Sequence, residues 1–203
     1  MFDIVTIPLS LIENFFISSR KYLLLRQKDS VPTTNPKLKM SVRKADLADI
    51  ERIVEIRIKP RIFSEFRQRR KVEQLKERMR IGHFCFVAES EGKICGVLWV
   101  GFHNLYVAEI GKVITFRDNE AMFYDAFTVP SYRGKGIISK AYEFSTKHLL
   151  TNNKNTFYVI VSRENKASLK SVKKVNFCAF GIITSLNFFG YRKSFLDKYQ
   201  NCE

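Results

Sequence analysis

The chain has 203 residues and a formal charge of +15, from 35 lysines and arginines against 20 aspartates and glutamates. Hydrophobic residues make up 45% of it, including 18 Phe and 8 Tyr, which excludes a largely disordered chain and is typical of one well-packed domain. The positive charge favours an anionic partner. Because the positive charge is spread along the chain, it does not choose between a phosphorylated cofactor, a nucleotide-linked sugar, nucleic acid and an acidic membrane.

The first segment, residues 1–28, is predicted to form an amphipathic helix. Leu11 and Phe15 have helical spacing, and Pro8 suits a first helical turn. Polar residues interrupt the apolar run before it reaches the roughly 20 residues that a bilayer span needs, and no secretory signal is expected. Two interpretations stay open: the helix packs on the domain or on a dimer partner, or it lies on a membrane surface.

The next segment, residues 29–40, has two prolines and small polar residues, and it is predicted to be a linker. The domain is expected to span residues 41–203. It should begin with a short strand over 41–44, a helix over 47–59 preceded by Asp46 as its cap, and an arginine-rich helix over 64–80.

Two hairpins are predicted in the domain. Residues 83–90 and 93–100 are predicted strands on either side of the turn Glu91-Gly92. Residues 178–186 and 191–195 should form the last hairpin. The stretch between Gly101 and Asn119 leaves two alternatives, a further strand or a loop over a ligand pocket.

The cysteines and histidines indicate no metal site. No C-x-x-C pair exists, and Cys85 and Cys95 lie in predicted strands, so buried thiols in a reducing, cytoplasmic compartment are expected. The histidines are scattered and are interpreted as structural; they are His83, His103 and His148.

One stretch has the pattern of an anion-binding turn. A strand rich in aromatic and branched residues over 121–129 ends at Pro130, and helical spacing starts at Ile137. The turn between them contains Gly134 and Gly136, which allow close approach of a ligand to the backbone. The first amides of the following helix have no partner within it, so a phosphate or pyrophosphate fits there.

This stretch resembles the GNAT superfamily of N-acetyltransferases. Arg133-x-x-Gly136-x-Ile138 is similar to the Gln/Arg-x-x-Gly-x-Gly/Ala signature that cradles the pyrophosphate of acetyl-CoA in that family. A second family motif, an Asn that opens a helix ending in Gly-Phe, is matched without a gap from Asn165 to Asn176-Phe177. The resemblance covers residues 41 to 195 and implies a mixed, mainly antiparallel sheet flanked by helices, here with the N-terminal helical extension.

Three residues depart from the family pattern. Ile138 replaces a small residue next to the cofactor turn, and Val172 stands where the family often has a tyrosine proposed as proton donor. Asn176 replaces a glycine, which is a mild change because Asn is the next-best residue for a left-handed helix end.

The resemblance also implies a site. Backbone groups of Ala126, Phe127 and Thr128 would hold the pantetheine arm, and Asn165 would lie near that arm or cap its own helix. The pyrophosphate would be bound by the turn and the start of the helix, which comprise Arg133, Gly134, Lys135, Gly136, Ile137, Ile138 and Ser139. The family's positions for a general base correspond to Met122, which is unsuitable, and to Tyr124; Asp125 would join Tyr124 on the same face only if the strand contains a bulge.

The function implied is transfer of acetyl from acetyl-CoA to a primary amine of a small molecule, with an amino sugar as the specific guess and without a metal. No nucleic-acid partner is expected, whereas residues 1–28 leave open a peripheral membrane contact or a homodimer. The alternative is a non-catalytic module of the same fold that binds an anionic partner, either nucleic acid or an anionic membrane.

Overall fold

The structure of the chain, a computed structural model, describes residues 17–27, 31–57, 64–188 and 191–198. A sheet of eight strands lies at its centre, in the order β10-β9-β1-β8-β7-β4-β3-β2. All neighbours are antiparallel except β7 and β8. The strands are β1 Ile17–Gln27, β2 Ser41–Lys44, β3 Phe84–Ser90, β4 Lys93–Gly101, β5 Asn104–Val107, β6 Lys112–Thr115, β7 Glu120–Thr128, β8 Thr156–Ser162, β9 Phe177–Phe188 and β10 Tyr191–Lys198.

Helices cover both faces of this sheet. The described helices are α1 Asp49–Glu55, α2 Ser64–Arg80, α3 Ile137–Leu150 and α4 Lys166–Lys173. Helices α3 and α4 pack on one face around Phe123 and Phe157. On the opposite face, α1 and α2 pack around Trp99, and a separate hairpin formed by β5 and β6 packs on Met122 and Ile183. The predicted mixed α/β architecture, with a mainly antiparallel sheet flanked by helices, is confirmed.

Most local predictions agree with these elements. The turn between β3 and β4 has Glu91 at φ 51° and Gly92 at φ 73°, as a two-residue hairpin with left-handed central residues requires. The open question over residues 101–119 is answered by the hairpin β5–β6, which covers part of the α1–α2 face instead of extending the sheet. No helix among the described residues is long and apolar enough to cross a membrane.

The predicted helix over residues 1–28 is wrong for residues 17–27, which form strand β1 inside the sheet. Strand β1 pairs with β8 at Tyr22 and Ser162 and with β9 from Ile17 to Gln27. Its apolar run is covered on both sides, because Tyr22 packs under the β5–β6 hairpin and Leu25 packs in the α3–α4 core. A short apolar run does not distinguish a buried strand from a buried helix. Residues 1–16 and 28 lie outside the described residues.

Candidate active site

Strands β7 and β8 separate halfway along their length. Their parallel pairing runs only from Glu120 and Thr156 to Phe123 and Val159. Beyond that point β7 continues to Thr128 paired with β4, while β8 continues paired with β1. The edge of β7 from Tyr124 to Thr128 therefore faces a gap, and this edge contains the predicted arm-binding residues Ala126, Phe127 and Thr128.

A bulge in β7 turns Asp125 onto the same face as Tyr124. Val97 of β4 lies opposite Phe127 and Trp99 lies opposite Tyr124, so two residues of β7 oppose Leu98 alone. Asp125 is the bulged residue, with φ 49°. A bulge places an extra residue on one strand and reverses the facing of the residues that follow it. The condition under which Asp125 joins Tyr124 on one face is thus met.

The predicted anion-binding turn lies at the open end of this gap. Gly134 and Gly136 have φ of 76° and 84°, in the left-handed region that favours glycine. Helix α3 follows at once, and its first internal bond runs from the Lys140 amide to the Gly136 carbonyl at 3.1 Å. The amides of residues 137–139 consequently have no partner within the helix, at its positive end.

The side chains after Gly136 point away from a ligand at the turn. Ile137 is 2% exposed and packs on Cys95 and Ala88. Ser139 is buried and donates to the Ser171 carbonyl at 3.3 Å, and Ile138 packs against the main core. Backbone amides are therefore the main groups that this part of the turn presents to a ligand. The flexible cationic groups are Arg133, which donates to the Thr128 carbonyl at 3.3 Å, and Lys135, whose Nζ is 5.1 Å from the Tyr132 ring centroid.

Residues 31–40, here called the strap, run along the back of the turn. The Lys37 amide donates to the Lys135 carbonyl at 2.9 Å, and a Cβ placed on Gly136 would lie 3.3 Å from the Pro36 Cα. The amide and hydroxyl of Thr34 both donate to Glu143 Oε2 on α3, each at 2.7 Å. The strap therefore fixes the backbone of the turn.

Glu143 is the buried anchor of the strap. Its side chain is 4% exposed, and it also accepts from Lys140 at 3.0 Å and Lys147 at 2.8 Å. Burial alone would raise the pKa of this carboxyl, but the hydrogen bonds from Lys147, Thr34 and Lys140 outweigh it and lower the pKa to about 2. The carboxylate is thus ionised at neutral pH and stabilises both α3 and the strap.

Tyr124 makes its closest polar contact with a histidine. Its hydroxyl lies 2.6 Å from His83 Nδ1, and the two rings meet edge to face. Burial raises the pKa of the Tyr124 phenol. Burial, and then the charge of Arg78, lower the pKa of the His83 imidazole. A protonated phenol beside a neutral imidazole is the state that these shifts favour at neutral pH.

Asp125 is held by two arginines, Arg57 just after the end of α1 and Arg78 within α2. Arg57 donates with both terminal nitrogens, one at 3.0 Å, and Arg78 donates at 2.5 Å. Burial raises the pKa of Asp125, but the hydrogen bonds and charges of Arg57 and Arg78 outweigh it, so the pKa is below its usual value. Both guanidiniums also lie over aromatic rings, Arg57 over Phe127 and Arg78 over Trp99 and Tyr124.

The second motif has a structural function in this fold. Asn165 accepts from the Ser168 amide at 3.0 Å and so caps α4. Val172 is 1% exposed and lies in the main core, so this position supplies no polar group. Asn176 has φ 62°, the left-handed conformation that was expected there.

His83, which the sequence led us to interpret as structural, lies against Tyr124 in the candidate site. It precedes β3 and is separated from Tyr124 by 41 positions, and no local spacing or motif marks it. Its position follows from the hydrogen-bonded neighbours β3, β4 and β7, which bring the start of β3 level with the middle of β7.

Comparisons with known proteins agree with this geometry. The family model "Acetyltransferase (GNAT) family" matches residues 50–177. A GNAT-family acetyltransferase from Colwellia psychrerythraea has a TM-score of 0.62 and 16% identity, covering 85% of this chain and 57% of that chain. A putative GNAT acetyltransferase from Novosphingobium aromaticivorans has a TM-score of 0.56 and 12% identity, covering 90% and 66%. The chain thus spans less than two thirds of either protein. A comparison with curated proteins gave no match.

The matched region contains the split between β7 and β8, the glycine turn and the Asn165 helix. It amounts to more than half of the chain. The chain belongs to the acetyltransferase (GNAT) family.

Proposed function

We propose that this chain transfers an acetyl group from acetyl-CoA to a primary amine of a small molecule. The observation that carries the proposal is the open edge of β7, which leads directly to the positive end of α3. An extended pantetheine arm pairs with an open strand edge, and a pyrophosphate suits free amides at a helix start. The open backbone groups of β7 and the free amides at the start of α3 therefore fit acetyl-CoA, which supplies the acetyl thioester when bound.

The cofactor contacts that we propose are mostly made by backbone. The amides of Ile137, Ile138 and Ser139, with the side chains of Arg133 and Lys135, bind the pyrophosphate. The edge formed by Ala126, Phe127 and Thr128 holds the arm, and one amide of this edge polarises the thioester carbonyl. A backbone amide aimed at a developing oxyanion typically lowers a barrier by about 3 kcal/mol. A contact between Asn165 and the arm also stays a prediction.

Tyr124 and His83 supply the proton transfers in this proposal. During the reaction a C–N bond forms, the C–S bond breaks, and the proton that the amine loses ends on the sulfur of CoA. The Tyr124 oxygen takes the proton from the amine nitrogen while its own proton passes to His83 Nδ1, across the 2.6 Å contact. The reverse movement then delivers a proton from Tyr124 to the departing thiolate, so both residues return to their starting state.

We propose that Asp125, the other predicted catalytic residue, positions Arg78 and does not itself transfer a proton. Its carboxylate already accepts from two arginines, and its lowered pKa makes it a weak proton acceptor. It holds Arg78 against the Tyr124 ring and neutralises part of the positive charge beside the reacting amine. The remaining positive charge disfavours an ammonium ion, which keeps the acceptor amine neutral and nucleophilic.

Calorimetry of acetyl-CoA binding tests the cofactor part of this proposal. Arg133→Glu with Lys135→Glu is expected to weaken binding at least tenfold, since charge-assisted hydrogen bonds contribute about 1.5–3 kcal/mol each. Lys173→Glu with Lys174→Glu makes the same charge change at the far end of α4, on two exposed residues, and should leave the Kd within about twofold. A substitution of Gly136 is less suitable, because it would strain the turn and press on the strap.

The control pair also separates the two function hypotheses. If wild-type protein does not bind acetyl-CoA, or if both pairs weaken binding equally, the cofactor site is not at this turn. Binding to a polyanion that falls steeply with salt would then favour the non-catalytic alternative. Transfer itself is measured by release of the CoA thiol with a panel of amines that includes amino sugars.

A further inference from the structure

A cavity of about 710 Å³ lies between the β5–β6 hairpin and the sheet, on the same face as Tyr124. Its inner wall is apolar and buried, with Met122 and Ile183 from the sheet and Phe116 beside the hairpin. Its outer end is also apolar but exposed, with Val113 and Leu196 at 60% and 43% exposure. This volume is within the range of about 300–1,000 Å³ that small-molecule sites occupy.

The hairpin that roofs this cavity is anchored at its tip by β10. The hydroxyl of Ser194 donates to the Ile110 carbonyl at 2.8 Å, and Lys112 donates to the Ser194 carbonyl at 3.0 Å. Arg192 also donates to the Ala108 carbonyl. The roof is thus held over the sheet by bonds between residues more than 80 positions apart, and the cavity is part of the folded domain.

The cavity adjoins the reacting end of β7. Met122 lines it and precedes Tyr124 by two positions on the same face, and two residues of a strand span roughly 7 Å. Tyr124 itself packs against the cluster that contains Met122 and Ile183. A molecule with its body in the cavity and its amine at Tyr124 needs only a linker of a few atoms.

Ten of the sixteen residues that line the cavity are apolar, and the six polar ones are Lys112, Thr115, Arg117, Glu120, Tyr158 and Ser194. The side chains of Lys112, Thr115, Glu120, Tyr158 and Ser194 are already hydrogen-bonded within the protein. Glu120 accepts from the Tyr158 hydroxyl at 3.2 Å and from the Arg117 amide at 2.9 Å, and Lys112 is bound to Ser194 as described. A sugar ring would lose hydrogen bonds to water here without regaining enough of them from the protein. An apolar body would instead gain from leaving water.

From this we propose that the cavity is the acceptor pocket and that the acceptor is a primary amine with an apolar, alkyl or aryl, body. This inference rests on the proposed acetyl transfer. It replaces the amino sugar of the sequence analysis by a different chemical class. In a series of linear amines from butylamine to octylamine, kcat/KM is expected to rise about threefold to fourfold per methylene group, as burial of each group predicts.

The test compares acceptors and two matched variants. Phenethylamine and octylamine should exceed glucosamine in kcat/KM by at least about tenfold, as burial of several carbons predicts. Leu196→Asp places a charge at the cavity and should lower kcat/KM for octylamine by about tenfold. Leu186→Asp makes the same change on the neighbouring strand β9, at 42% exposure and outside the cavity, and should leave kcat/KM unchanged.

Direct binding separates this inference from the proposed function. Phenethylamine binding is measured by calorimetry without acetyl-CoA, in the wild type and in both variants. If Leu196→Asp weakens phenethylamine binding, Leu186→Asp does not, and no amine is acetylated, the pocket is supported and the proposed function is overturned. Three results would overturn the apolar acceptor pocket and leave the proposed acetyl transfer in place. They are equal kcat/KM for glucosamine and octylamine, no change of kcat/KM with chain length, and equal effects of the two variants.

Discussion

Replacement of Tyr124 by phenylalanine is expected to lower kcat for acetyl transfer about 100-fold or more, with little change in the Kd of acetyl-CoA. General acid–base groups typically contribute 10² to 10⁴ in rate, and the variant removes only the hydroxyl that contacts His83. The ring, which packs against Trp99 and under Arg78, is retained. Steady-state kinetics and calorimetry on the same preparation check both halves of the expectation.

The pH profile distinguishes a proton relay from mere packing. The pKa of His83 lies below its usual value because of burial and Arg78, so the active, neutral imidazole persists as the pH falls and is lost only below the ordinary histidine range. The causes of this shift are the burial of the imidazole and the charge of Arg78 from α2. The wild-type profile of kcat/KM should therefore have its acidic limb below about pH 6.5.

Histidine variants complete this test. His83→Gln should lower kcat and remove the acidic limb, whereas His148→Gln, which alters a ring on the opposite face beside Phe86, should leave the limb in place. If kcat is unchanged in Tyr124→Phe, or if the acidic limb is still present in His83→Gln, neither residue takes part in the proton transfer. The amine would then have to exchange its proton with water directly.

The second large effect is expected at Glu143, which connects the strap to helix α3. Glu143→Gln should lower the free energy of unfolding at pH 7 by about 1.5–3 kcal/mol, because it removes a buried charge that accepts hydrogen bonds from Thr34, Lys140 and Lys147. The change is nearly isosteric, so lost charge and not lost volume is measured. Urea unfolding followed by circular dichroism gives the difference between the two proteins.

The pH dependence of that difference has a defined sign. The folded-state pKa of Glu143, about 2, is below the ordinary value of 4.5, so its contribution is fully present above pH 4.5. It is lost as the pH falls toward 2, where the protonated wild type resembles the glutamine variant. Glu77→Gln is the control, because Glu77 forms an exposed ion pair with Arg80 and the change should alter stability by less than about 1 kcal/mol. Equal stability losses in the two variants would show that Glu143 does not anchor the strap.

The Glu143 variant should also weaken acetyl-CoA binding indirectly. The strap reaches the turn through the bond from Lys37 to Lys135, so a strap whose Thr34 is no longer held by Glu143 leaves that backbone less ordered. Ordering it again on binding costs free energy. If the Kd of acetyl-CoA is unchanged in folded Glu143→Gln protein, the strap contributes to stability and not to cofactor binding.

The amino-acid sequence by itself determined the parts of this protein that depend on neighbours in the chain. The strand that ends at Pro130, the left-handed glycines before Ile137, the cap at Asn165 and the turn at Glu91-Gly92 follow from the preferences of a few consecutive residues. These local elements were enough to locate the glycine turn and to identify the family. They also led to the correct order of nearly all the predicted strands and helices in the domain.

Only the tertiary structure decided what depends on residues far apart. Strand β1 is a strand because β8 and β9 supply partners on both of its edges, which no pattern within residues 17–27 encodes. The pairs formed by Tyr124 with His83 and by Asp125 with Arg57 and Arg78 join positions 41 to 68 residues apart. The β7 bulge and the cavity under the hairpin are likewise set by packing between strands. Hydrogen-bond partners and packed surfaces of this kind arise only when the whole sheet has formed, so the chemistry of the acceptor side could not be read from local spacing.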